Sequence, residues 1–213
     1  MKKETTVNQL AERVQSLIGG LQRTDPDLLA SRTGTTYISD DGGKNRFEFN
    51  FWGKPVSLTY PDFEARDKQT GENVPLPNWA MIAYYFITSD GSPLAGEWVS
   101  FSELPDGRFY NQAFQGYTGR KLSRAFHNSF GEFERAAENL GGYRITFADI
   151  AYSFHILPRV DLSVVCWWGD EDFPPSYQVL FDASIDHHLP TDACAVLGSM
   201  LTGKLIKAKG DNQ

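Results

Sequence analysis

The chain has little cysteine, a deficit of basic charge and no long apolar run, and each shortage excludes something. Cys166 and Cys194 are the 2 cysteines of 213 residues, too few for a disulfide framework or a thiolate metal site. Cys166 lies in a Val- and Trp-rich stretch and Cys194 on an apolar helix face, so both read as small core residues. No stretch nears the roughly 20 apolar residues of a membrane span. The opening MKKETTVNQL lacks the apolar heart of a secretion signal, so a cytoplasmic protein without a membrane role is expected. Lys and Arg number 20 against 27 Asp and Glu, a formal net charge of −7, which gives nucleic-acid binding no electrostatic support. Absent too are the phosphate-cradling GxxxxGK(S/T), GxGxxG after a strand, HExxH, GxSxG and CxxC. Nucleotide, nicotinamide, zinc-protease and lipase chemistry therefore lose their usual marks. No catalytic residue is assigned, and the cofactor stays open.

What is present is ordinary globular composition, 41% hydrophobic and 22% charged. Residues 1–34 read as two helices. Thr6 and Gln9 form a capping-box pair, and Val7, Leu10, Val14, Leu17, Ile18 and Leu21 share one helical face. Asp25-Pro26 starts the second helix and Gly34 stops it. After a turn at 40–43, Phe47, Phe49 and Phe51 alternate with Arg46, Glu48 and Asn50. Val56, Leu58 and Tyr60 repeat the pattern, which predicts a hairpin with one buried face. Residues 62–75 are polar and turn-rich. The run from Trp79 to Thr88 is apolar on nearly every side and predicts a core helix that buries Trp79, Ile82 and Phe86.

A loop over 89–96 leads to a second helical region. Ser100 and Glu103 fit a capping box, and Phe109, Ala113 and Phe114 mark a helix. Arg120, Lys121 and Arg124 lie on a basic one that reads as a solvated face. Ser129 and Glu132 fit another capping box. Tyr143, Ile145 and Phe147 alternate, as do Ile150, Tyr152, Phe154 and Ile156. Leu162 to Trp168 is apolar on both faces and predicts a central strand. A polar turn at 169–175 returns the chain through Tyr177, Val179 and Phe181. Thr191 caps a last helix with Cys194, Leu197, Leu201 and Leu205 on its buried face, and a frayed tail follows from Lys207. The grouping of strands and helices predicts an α+β fold, a mainly antiparallel sheet with a cluster of helices. A single domain is expected over 1–206, with both strand groups in one sheet and a polar tail over 207–213.

Candidate chemistry gathers at strand ends. Asp182, Asp186, His187 and His188 sit together before the last helix and hold 2 of the chain's 4 histidines. Carboxylates and imidazoles are usual transition-metal ligands. Adjacent histidines on extended chain point to opposite faces, however, and no metal-site spacing is matched. A hydrogen bond between Asp182 and His187 that fixes the loop is the expectation. The acidic turn Asp170-Glu171-Asp172 reads as a solvated loop tip. Trp98, Ser100, Arg108 and Tyr110, on a loop-to-helix transition, form a second ligand-site candidate. Trp168 joins them as an aromatic lining candidate.

The stretches GEWVSFSELPDGRFY, PRVDLSVVCWWGDEDFPPSYQVLFDASIDHHLPTD and AVLGSML resemble the uncharacterised prokaryotic family catalogued as domain of unknown function 3786. The resemblance covers nearly the whole chain. Asp172 and His188 depart from the family pattern, which leaves His187 the better histidine. The resemblance implies a cytoplasmic protein of anaerobic bacteria and archaea. Some relatives carry a cysteine-rich iron–sulfur segment, which this sequence does not contain. The functional expectation is an accessory protein of anaerobic metabolism that binds a small molecule or a protein partner. Its ligand residues would be Trp98, Ser100, Arg108, Tyr110, Trp168, Asp182 and His187. The alternative is a metal-assisted enzyme using Asp182, Asp186 and His187.

Overall fold

A computed structural model describes residues 12, 14–40, 42 and 44–210. The capping pair Thr6–Gln9 and the apolar positions Val7 and Leu10 lie outside the described residues. The chain falls into two compact units. One comprises Met1–Pro93, Ile156–Arg159 and His187–Pro190, the other Leu94–His155, Val160–Asp186 and Thr191–Gln213.

The first unit opens with helix α1 (residues 14–21), which buries Val14, Ile18 and Leu21. Helix α2 (Pro26–Thr33) starts where Asp25 Oδ1 accepts the Asp27 amide at 2.8 Å, and ends at Gly34 in the left-handed region. A four-stranded antiparallel sheet follows in the order β1-β2-β3-β4, made of Thr36–Ile38, Arg46–Phe51, Lys54–Thr59 and Ala65–Asp67. The expected hairpin is β2–β3. Its two-residue turn is Trp52-Gly53, with φ of 54° and 71°, which matches strand twist in a tight hairpin. Phe47, Phe49 and Phe51 are buried as their alternation predicts.

Strands β1 and β4 carry no sequence signal, and β4 lies within the polar, turn-rich stretch 62–75. At 3 residues each they are too short to show a period. Helix α3 (Leu76–Thr88) lays Phe86 edge-on to Phe47, ring centroids 5.1 Å apart. Ile82 and Phe86 are buried, but Trp79 is only half-buried. Its indole N–H needs an acceptor and finds the Phe63 carbonyl at 3.0 Å, at the rim of the core.

The second unit holds a five-stranded sheet in the order β5-β9-β8-β7-β6. These are Trp98–Ser100 (β5), Tyr143–Arg144 (β6), Ile150–Leu157 (β7), Val160–Trp167 (β8) and Ser176–Asp182 (β9). The last two residues of β7, Ile156 and Leu157, belong to the first unit. The fold is α+β with antiparallel sheets, as expected. The expectation of one sheet is corrected to two. The first sheet is built wholly from residues 36–67, each strand pairing with its neighbour in sequence, the cheapest closure for the chain. Strand β8 is the middle strand of the second sheet, as its two-sided apolar pattern predicts. Strand β6 is only 2 residues long, and Tyr143 and Phe147 are exposed rather than part of a buried alternation.

Helices α4 (Gly107–Tyr117), α5 (Gly119–Phe126), α6 (Phe130–Asn139) and α7 (Thr191–Gly210) complete this unit. On one sheet face Phe181 meets Phe101 and Phe114, and Tyr177 meets Phe126 and Phe133. On the other, Ala151, Val165 and Leu180 pack with Trp98, Ile145 and Ala148. The capping box at Ser100 and Glu103 forms, with the Ser100 N–H and Oγ each 2.7 Å from Glu103 Oε2. The one expected at Ser129 does not form. Ser129 makes no capping hydrogen bond, and Glu132 instead pairs with Lys209 at 3.0 Å.

The tail also differs from expectation. Helix α7 runs through Gly210 because Lys209 is held in place. Its ammonium donates to the Ala125 carbonyl at 2.6 Å and lies 5.5 Å from the Phe126 ring centre. Thr191 is the first helical residue of α7, and its hydroxyl donates to the Pro105 carbonyl at 2.8 Å instead of capping the helix.

Candidate functional site

Two close approaches set the position of α4. A side-chain carbon at Gly107 would lie 1.9 Å from the Phe101 carbonyl oxygen, so only glycine lets the helix start against the 3₁₀ turn Phe101–Glu103. One at Gly198 would lie 2.7 Å from the Phe114 ring, so glycine lets α7 close onto that ring. Phe114 then stacks on Phe101, centroids 4.2 Å apart and planes 13° off parallel. Small residues on the next stripe of α7, Ala195 and Ser199, leave the outer side of this pair unfilled. The result is a cavity of about 600 Å³ between α4 and α7, within the usual range for small-molecule sites.

Phe101, Tyr110, Tyr117, Val196 and Met200 supply its apolar walls, with Asp106 and Asp192 among its lining. Tyr110 is 52% exposed and Val196 41%, so apolar surface stays open at the mouth. The Tyr110 and Tyr117 rings are 6.3 Å apart and tilted by 52°. Burial first, and the neighbouring Tyr110 second, push the Tyr117 hydroxyl above the ordinary phenol value. Tyr117 therefore lines the cavity as a neutral phenol.

The structure does not gather the sequence candidates into one place. Tyr110 lines the cavity just described. Trp168 lines another, of about 420 Å³, with His127, Phe130 and Phe173. Arg108 lines a third, of about 320 Å³, beside Phe109, whose ring is 93% exposed. Of the residues that mark this helix, Phe114 is buried and Phe109 is exposed. Ser100 is held in its capping box, and Trp98 packs on the opposite sheet face from Phe101 and Phe114.

Asp182 and His187 have other partners in place of the expected hydrogen bond between them. Asp182, 2% exposed, accepts the amides of Ala95 at 2.9 Å and Gly96 at 2.8 Å, and the Ser184 hydroxyl at 2.6 Å. His187 Nδ1 lies 2.7 Å from Asp90 Oδ2, which holds the Asp90 carboxyl well below the usual carboxylate range. Among the described residues no group of three or more His, Cys, Asp or Glu could hold a metal ion, so the metal-assisted alternative finds no ligand set there. Burial pushes the Cys166 thiol up to about 11 and raises that of Cys194. Both are core residues, as expected. Arg120, Lys121 and Arg124 are exposed.

Sequence reading missed Phe101, Asp106, Tyr117 and the α7 stripe. One signal was available. Ala195, Val196, Ser199 and Met200 repeat at helical spacing beside the core stripe of Cys194, Leu197, Leu201 and Leu205, which gives α7 a second apolar face.

An antiparallel α+β protein with a preformed aromatic cavity is the class that fold and site define. The chain belongs to the family described as Domain of unknown function (DUF3786), whose pattern matches residues 25–204. Comparison with curated proteins and with solved structures gave no match. No helix among the described residues is long and apolar enough to cross a membrane.

Proposed function

We propose that this is an accessory binding protein that holds a small, largely apolar molecule between α4 and α7. The carrying observation is the cavity of about 600 Å³, walled by Phe101, Tyr110, Tyr117, Val196 and Met200. Pockets of this size with aromatic walls and a few polar groups are the usual form of small-molecule sites. The resemblance to a family of anaerobic prokaryotes supports a place in anaerobic metabolism, in the cytoplasm.

Met200 provides the test, because its methyl group reports on the cavity while Met81 is buried in α3. Methyl NMR with a set of small aromatic and aliphatic compounds is expected to shift Met200 and leave Met81 unmoved. The Ser199→Phe variant, which fills the space, is expected to abolish the shift. No compound moving Met200 at millimolar concentration would refute the reading.

A further inference from the structure

We infer that the ligand of this cavity is an organic cation, an amine or quaternary ammonium carrying an apolar body. The inference rests on the cavity reading above and adds the chemistry of the ligand's head.

The charge balance of the lining carries it. Its charged side chains are Asp106 and Asp192, and among the described residues no Lys, Arg or His lines the space. Both acids stand where helices begin, Asp106 before α4 and Asp192 in the first turn of α7. A helix start favours anions, so the two effects oppose. Each start is worth about half a positive charge, against a full negative charge on each carboxylate. The sum leaves roughly one net negative charge at the mouth.

Among the described residues neither acid is in a salt bridge. Asp106 makes no capping bond to α4, and it shares the adjoining depression with Arg108. Asp192 Oδ1 accepts the Ala193 amide at 2.9 Å, a contact that leaves its charge in place. The backbone at Asp106 is in the left-handed region at φ 58°, which Asp adopts more readily than most residues.

The walls match the same head group. A cation is attracted to aromatic faces by the ring quadrupole, and Tyr110, Tyr117 and Phe101 present rings to the cavity. The Phe101 and Tyr110 centroids are 6.4 Å apart at 61°. An anionic head would meet the rings and both carboxylates unfavourably. A neutral head would gain from neither.

Three probes of similar shape separate the cases: 2-phenylethylamine, 2-phenylethanol and 3-phenylpropanoate, titrated at neutral pH with the Met200 methyl as readout. The amine is expected to bind at least about fivefold tighter than the alcohol, and the carboxylate weakest. Asp106→Asn and Asp192→Asn are each expected to weaken the amine about two- to fivefold without changing the alcohol. Asparagine tolerates the left-handed backbone at 106, so the fold is retained. In the unmodified protein, raising the salt should weaken the amine alone. Equal binding of amine and alcohol would overturn the cation inference and leave the cavity reading standing. Tightest binding of the carboxylate would overturn it in favour of the helix starts. If none of the three moves Met200, both readings fail.

Discussion

His187 Nδ1 lies 2.7 Å from Asp90 Oδ2, and the Asp90 amide donates to the His187 carbonyl at 3.3 Å. The neighbouring His188 is fully buried. Its Nε2 lies 3.0 Å from the Ser92 carbonyl oxygen, which can only accept, so Nε2 carries the proton. Nδ1 then accepts from the Ser89 hydroxyl at 3.2 Å. Two adjacent histidines thus tie residues 187–188 to the loop after α3. His187 closes the 3₁₀ turn Ile185–His187, so it is this turn rather than extended chain that sets the two rings.

The histidines should titrate on opposite sides of the ordinary imidazole value. Burial lowers His188, and the Asp161 carboxylate at 2.6 Å raises His155. Stability from His188 is complete above about pH 6.5 and is lost as pH falls through that value towards its folded one. Stability from His155 is complete below about pH 6.5 and is lost as pH rises through its folded value. NMR titration of the ring protons should place the midpoint of His188 below 6.5 and that of His155 above it. The reverse order would refute the burial of His188 and the bond between His155 and Asp161.

Asp182→Asn should cost about 2 kcal/mol in chemical denaturation, because a buried charged acceptor of three backbone amides and a hydroxyl becomes a neutral one. A change under about 0.5 kcal/mol would show that these bonds are not formed in solution.

Phe86→Ala should cost about 3–5 kcal/mol, the yield of emptying a fully packed aromatic site. Trp79→Phe keeps most of the packing and loses the hydrogen bond to Phe63, so about 1 kcal/mol is expected. Similar losses at the two positions would show that Trp79 is packed as deeply as Phe86.

Lys209→Ala should cost about 1 kcal/mol, through the lost bond to Ala125 and the ring contact with Phe126. No measurable change in melting temperature would return this segment to the status of a loose tail.

One domain is proposed for the two units, since strand β7 runs continuously from one into the other. Thermal unfolding followed by far-ultraviolet circular dichroism and by tryptophan fluorescence is then expected to give coincident transitions. Two separated midpoints would make the units independent domains.

Local pattern was enough for the sequence to determine much of the fold by itself. The alternation of Phe47, Phe49 and Phe51 encodes a one-sided strand, and the run around Phe86 encodes a core helix. The Ser100–Glu103 box and the stripe from Cys194 to Leu205 were legible for the same reason. Each depends on residues within a few positions of one another, where chain geometry alone sets the spacing. The candidate site was legible only at Tyr110. Two of the amides that hold Asp182 are 87 and 86 residues away, and Asp90 is 97 from His187. No periodicity links such partners. The cavity exists because Gly107 and Gly198 let α4 and α7 approach from distant parts of the chain, so packing alone decides which residues line it.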